Sequence, residues 1–202
     1  MTPTARTTAA LVACLAVGAL ALQIHVGLER RPGLTVWQEI WREARYFTIL
    51  TNTLVAATFA AVATGRRPGA VWSAAITLWI VLVGVVYHAL LARDLSGHGA
   101  LADAALHTGV PLAVTLWWLR FAPKAGLSPH HAVWWLLWPA AYVGYALIRG
   151  AVDGRHPYFF LDPGRSGWDG VGLWVLALGA AFLAGGLAVV ALARALAPHH
   201  RR

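Results

Sequence analysis

The chain has 202 residues, 59% of them apolar and only 12% charged, with a single cysteine, Cys14. Soluble domains carry ~25% charged residues, so this balance excludes a disordered chain, a coiled coil and an ordinary soluble enzyme, and one cysteine excludes a disulfide scaffold or a Cys-ligated metal centre. The net charge of +8 comes from basic residues scattered at the ends of apolar runs; without a basic stripe it reads as membrane-flanking charge and implies no nucleic-acid partner.

Six stretches approach the ~20 apolar residues that a membrane-crossing helix needs. They cover roughly residues 8–28, 46–64, 71–91, 101–120, 132–149 and 171–193. The expected fold is therefore all-α, one integral membrane bundle of six transmembrane helices over residues 1–202. The runs are continuous and do not alternate, which excludes a barrel. The first run has Arg6 and an Ala19-Leu20-Ala21 cleavage-like pattern, but it stays apolar to Leu28. That exceeds the ~7–15-residue core of a signal peptide, so it is read as a span, with His25 near its far end. Next, Thr35 and Gln38 match a capping box. Val36, Trp37, Ile40, Trp41 and Ala44 follow at helical spacing, opposite Gln38, Glu39, Arg42 and Glu43. This short helix either lies in the membrane interface or packs on the bundle.

The second run carries Thr48, Thr51 and Asn52 on one face, at i, i+3 and i+4. The third starts with Ser73 and Thr77 and ends with Tyr87 and His88. The fourth holds Asp103, His107 and Thr108 in its first two turns. Arg149 ends the fifth, and His156 follows in the loop. Gly179, Ala180, Ala184 and Gly185 give the sixth a small-residue face, which permits close helix packing or a homodimer.

Six spans put both termini on one side. Lys and Arg divide equally between the sides, but Arg66, Arg67, Lys124, Arg194, Arg201 and Arg202 on the terminal side have no acidic companion. That side is expected to be cytoplasmic. Arg outnumbers Lys fifteen to one, in keeping with a GC-rich bacterial genome and hence an inner-membrane location.

The ionisable residues and most of the polar residues inside the spans fall in the half of the membrane away from the termini. Leaving them in lipid is costly, so a polar cavity open to that side is expected, lined by the first five helices. Asp103 and His107 are one turn apart; the carboxylate can hold His Nδ1–H and leave Nε2 as a base. A Thr hydroxyl needs such a base to act as a nucleophile. Thr48 and Thr51 are equal candidates on spacing. Oxyanion donors would come from Asn52, Thr51, Tyr87 or His88. Three other readings compete. One is a metal site from His88, His107 and His156 or Asp103. Another is haem held among His25, His88 and His107. The last is a transporter or a non-catalytic membrane protein. No HExxH motif, paired-His spacing or inverted repeat favours them, and neither a metal nor another cofactor is expected.

Three motifs resemble the androgen-induced, androgen-dependent family of multi-span membrane hydrolases, in particular its bacterial six-helix relatives. They are Arg45-Tyr46-Phe47-Thr48-Ile49-Leu50, Leu106-His107-Thr108 with Pro111-Leu112 downstream, and Gly154-Arg155-His156-Pro157-Tyr158-Phe159-Phe160-Leu161. The order of Tyr and Pro in the third motif departs from the family's. The resemblance, over about residues 45–161, implies hydrolysis of fatty acid esters of hydroxy fatty acids. It also implies Thr48 as nucleophile and His107 as base, and a lipid or fatty-acyl ester as the substrate partner in the membrane.

Overall fold

The computed structural model describes residues 1–197, and every regular element among them is helical. The chain forms two compact units, Met1–Pro123 and Lys124–Arg202. The first contains α1 (Pro3–Glu29), α2 (Val36–Glu43), α3 (Phe47–Ala63) and α4 (Ala70–Val86), which a π turn (Tyr87–Leu91) prolongs. Then follow α5 (Gly97–Ala104), a second π turn (Ala105–Gly109) and α6 (Val110–Phe121), which run on as one rod.

Packing in this unit is the reverse of a soluble bundle. α1 buries Ala5, Ala9, Ala13, Ala16 and Ala19 and turns Leu11 and Val17 outward. Small side chains let the backbones approach, while the large ones face the surroundings, as suits helices in lipid. α1 packs most extensively on α3, and α4 is the buried centre. Two cross-links tie the start of α1 to α3 and α6. Arg6 Nε donates to Ala63 O at the end of α3 (3.1 Å), where carbonyls lack helical partners. Trp117 Nε1 donates to Ala5 O (3.0 Å).

The second unit contains α7 (Pro129–Trp134), α8 (Leu137–Asp153), a 3-10 turn (Phe159–Leu161) and α9 (Pro163–Leu196). The helix expected over 132–149 is broken at Trp135–Leu136. Pro139 explains this: it has no N–H for the carbonyl of Trp135, and its ring crowds that carbonyl, so it fits only in the first turn of a new helix. Gly154, in the left-handed region (φ 70°), ends α8, and Gly167 (φ 65°) kinks the start of α9. Gly186 is the close contact of α9 with α7; a Cβ there would lie 2.9 Å from that of Ala132. The small residues Ala180 and Ala184 are exposed.

Among the described residues, four helical rods are long and apolar enough to cross a membrane: Pro3–Glu29, Ala70–Leu91, Gly97–Phe121 and Pro163–Leu196. α2 and α3, bent by 105°, pass that test only when taken as a pair, which gives four to five. The expected count of six is therefore reached only in part. α3 and α8 have 17 residues each, about 25 Å of helix, short of the ~30 Å hydrocarbon core.

α2 is built inside-out. Thr35 Oγ1 accepts from Gln38 N (3.3 Å) and Gln38 Oε1 accepts from Thr35 N (2.8 Å), which forms the expected capping box. The acidic face turns inward, with Glu39 fully buried and Glu43 nearly so, while Trp37 and Trp41 are 78% and 64% exposed. Arg42 bridges both carboxylates, its Nε donating to Glu39 Oε2 (2.7 Å) and its Nη2 to Glu43 Oε1; Gln23 of α1 donates to Glu43 Oε2 (3.1 Å). The Arg42 hydrogen bond holds the Glu39 carboxyl below its ordinary range, whereas burial pushes that of Glu43 up. Gly27 makes room for this cluster, because a Cβ there would overlap the Glu39 carboxylate.

Candidate active site

Most hydroxyls in these helices are used locally. Thr53, Thr77 and Thr115 each donate to the carbonyl four residues back, at 2.7–2.8 Å, and Ser73 does the same at 3.0 Å. Thr48, in the first turn of α3, points its hydroxyl at another helix: Oγ1 lies 3.3 Å from His107 Nε2. Thr51, its equal on spacing, is fully buried.

The tautomer of His107 follows from its other nitrogen. Nδ1 faces two acceptors, the Asp103 carbonyl at 3.0 Å and the Asp103 carboxylate Oδ1 at 3.2 Å. Nδ1 must carry the proton, which leaves the Nε2 lone pair for the Thr48 O–H. Tyr87 stacks flat on the imidazole, with centroids 3.7 Å apart and planes 12° apart, and its hydroxyl hydrogen-bonds the Asp103 side chain. The ring is thus fixed in plane by stacking and in rotation by Asp103.

Local helix irregularity positions these groups. His107 and Tyr87 both sit in π turns, a feature that concentrates at functional sites. Pro111 has no N–H to offer the carbonyl of His107. That carbonyl turns toward α4, where Gly84 receives it; a Cβ at Gly84 would stand 2.6 Å from His107 O. Asn52 fastens α3 to the same turn. Its Nδ2 donates to Thr48 O (2.9 Å) and makes a longer contact with Leu106 O (3.5 Å), so one amide holds the neighbours of both reacting groups. Asn52 Oδ1 is buried with no hydrogen-bond partner among the described residues.

The other expected residues distribute as follows. His88 Nε2 and Thr108 Oγ1 pair at 2.9 Å, both exposed, beside the site. His25 is exposed and engaged with Glu29 (3.2 Å), away from the haem role considered for it. Arg149 and His156 belong to the second unit. There Arg149 Nη1 donates to Tyr145 Oη (2.6 Å) and Nε pairs with Asp153 (3.5 Å). His156 Nδ1 pairs with Asp162 (3.5 Å), and its ring lies against Gly150. The sequence reading missed Gly84, Gly27, Gln23 and the inward acids of α2. The apolar spacing around Glu39 and Glu43 was visible, but which face would turn inward was not.

The arrangement offers a hydroxyl, a base with a fixed tautomer and a carboxylate orienter in series. No protein-family model, curated protein or solved structure matches the chain.

Proposed function

We propose that this chain is an intramembrane lipid-ester hydrolase with Thr48 as nucleophile and His107 as general base. The observation that carries the reading is the Thr48 Oγ1–His107 Nε2 contact backed by Asp103. Thr48 Oγ adds to the acyl carbonyl carbon while its proton passes to His107 Nε2. Collapse of the tetrahedral intermediate breaks the ester C–O bond, and Nε2–H protonates the departing alkoxide. Water, deprotonated by His107, then adds to the acyl-Thr48 carbonyl; collapse breaks the C–Oγ bond, Nε2–H returns the proton to Thr48 Oγ, and the fatty acid is released. Asp103 steadies the imidazolium in both halves. An oxyanion donor is expected from Asn52, Thr51, Tyr87 or His88; the Asn52 amide already holds Thr48 O and the His88 imidazole already pairs with Thr108 Oγ1. The motif resemblance supports the same pair.

The reading places the protein in a bacterial inner membrane with six crossings and both termini cytoplasmic, α3 and α8 serving as the two short spans. Reporter fusions at the two termini test the even count; opposite locations would overturn it. The catalytic reading is tested with a lipid-like fluorophosphonate probe and mass spectrometry of the purified protein. Modification of Thr48, lost in His107→Ala, is expected. Labelling elsewhere, with ester hydrolysis unchanged in Thr48→Ala, would overturn it.

A further inference from the structure

Where α1 ends and α5 begins, three metal-ligating side chains converge that the hydrolytic scheme does not use. His25 and Glu29 lie one turn apart on α1, with His25 Nε2 3.2 Å from Glu29 Oε1. His98, the second residue of α5, brings Nδ1 to 4.0 Å from the other carboxylate oxygen, Oε2. One ligand atom from each residue lies within 4.8 Å of the other two. Tetrahedral zinc with Zn–N and Zn–O bonds of ~2.0–2.2 Å holds its ligand atoms about 3.3 Å apart. The side chains are 57%, 51% and 64% exposed, which leaves them room for the closure of up to ~1.5 Å that tetrahedral zinc requires.

The backbone beneath them is set without a metal. α1 packs on α5. Gly99 lies under Arg30, whose guanidinium a Cβ would meet at 2.5 Å, so the first turn of α5 closes tightly on the end of α1. Gly97, at φ 59°, turns the chain into that helix. An i, i+4 His/Glu pair on one helix and a His from another form a two-imidazole, one-carboxylate donor set with a fourth position left for water.

We propose that His25, Glu29 and His98 form a Zn²⁺ site that clips the end of α1 to the start of α5. The site is independent of the hydrolase reading. Its mechanical consequence is that metal binding fixes the entry turn of the rod that carries Asp103 and His107 further along. Binding requires deprotonated imidazoles, so acidification releases the metal.

The test uses the full-length, untagged protein in detergent, because His130 and His131 on α7 are adjacent imidazoles that can bind zinc nonspecifically. Calorimetric Zn²⁺ titration is run on wild type, His98→Ala, Glu29→Gln and, as control, His130→Ala. One site is expected to weaken by about 100-fold in His98→Ala and Glu29→Gln, and to stay intact in His130→Ala; even outer-shell changes cost 10–100-fold. Co²⁺ bound at the site should give the intense visible bands of low-coordinate cobalt, absent in His98→Ala. Zn²⁺ should also slow amide exchange over residues 97–101 in wild type only. Glu29, His98 and His130 are all exposed, and matched gel-filtration profiles establish folding. Equal affinity and stoichiometry in wild type, His98→Ala and Glu29→Gln would overturn the proposal, as would loss of the site in His130→Ala alone.

Discussion

The two ends of the first unit put their threonine and serine hydroxyls to different use. At the end where α3 stops and α4 starts, Ser73 and Thr77 are buried and donate back to their own helix. At the end where α3 starts, α4 and α5 loosen into π turns, and Thr48, Tyr87, Asp103 and His107 bond across helices. Both ends satisfy hydroxyl groups in an apolar setting. Only the second turns a threonine hydroxyl toward a histidine ring nitrogen on another helix, and there the helices lose regular geometry; at the first, Trp72 Nε1 reaches Thr58 Oγ1 of α3 from a regular helix. The lesson is that an intramembrane threonine carries little information by itself; the direction of its hydrogen bond separates a filler from a reagent.

The largest test of this contrast is chemical. Thr48→Ala and His107→Ala are each expected to lower ester hydrolysis by at least ~10³-fold, since a nucleophile and its base act as one unit. Thr48→Ser should keep part of the activity. Hydrolysis of a fluorogenic long-chain ester, with matched gel-filtration profiles, measures this. The next test disturbs the mounting and leaves the reagents in place. Asn52→Leu frees the Thr48 and Leu106 carbonyls, and Gly84→Ala forces a Cβ against His107 O. Misplacement on the order of 1 Å can cost ~10²-fold. Both variants should therefore lower kcat by roughly 10–100-fold with KM moved little, and Gly84→Ala should also lose about 1–3 kcal/mol to overpacking. A merely structural role would change stability without that split.

A smaller effect separates the acids beneath α2. Glu43 has a raised folded-state pKa, so the native protein binds its proton more tightly than the unfolded chain does. Stability from this group is gained as pH falls through the window between its folded value and the ordinary carboxylate value of ~4.3. Glu39 works the other way: its contribution is present above the ordinary value and is lost as pH falls through its depressed one. Glu43→Gln should remove the first slope and keep the second in thermal midpoints measured against pH. The smallest effect belongs to the quiet end. Thr77→Val should change stability by less than about 1 kcal/mol, because its hydroxyl only doubles a carbonyl already in the helix ladder.

Much of this was legible in the sequence, for physical reasons. Hydropathy marks apolar rods whatever their partners, so the long helices stand out. Asp103 and His107 are one turn apart, and helix geometry alone brings their side chains together. The pairing of Thr48 with His107 across helices came from shared depth, chemistry and motif resemblance; spacing left Thr51 its equal. Other features need tertiary contacts to become visible. The break before α8 hides inside an unbroken apolar run, and its one signal is Pro139. Pro111 acts similarly before α6. The π turn at Tyr87 has no such marker. The inward face of α2 could not be read from amphipathicity, which fixes two faces without saying which one meets the protein.

The bend between α2 and α3 has a kinetic consequence. With Trp37 and Trp41 turned outward, α2 suits the plane of the headgroups, and the 105° turn sends α3 downward from it. Thr48 is the second residue of α3, and the proposed reading sets it near the ester linkages of the surrounding lipid. On the proposed reading, the substrate reaches the nucleophile by diffusing sideways in two dimensions. Turnover should then follow the mole fraction of ester in the bilayer or micelle, and diluting the surface with inert lipid should slow the reaction even when the bulk concentration of ester is unchanged.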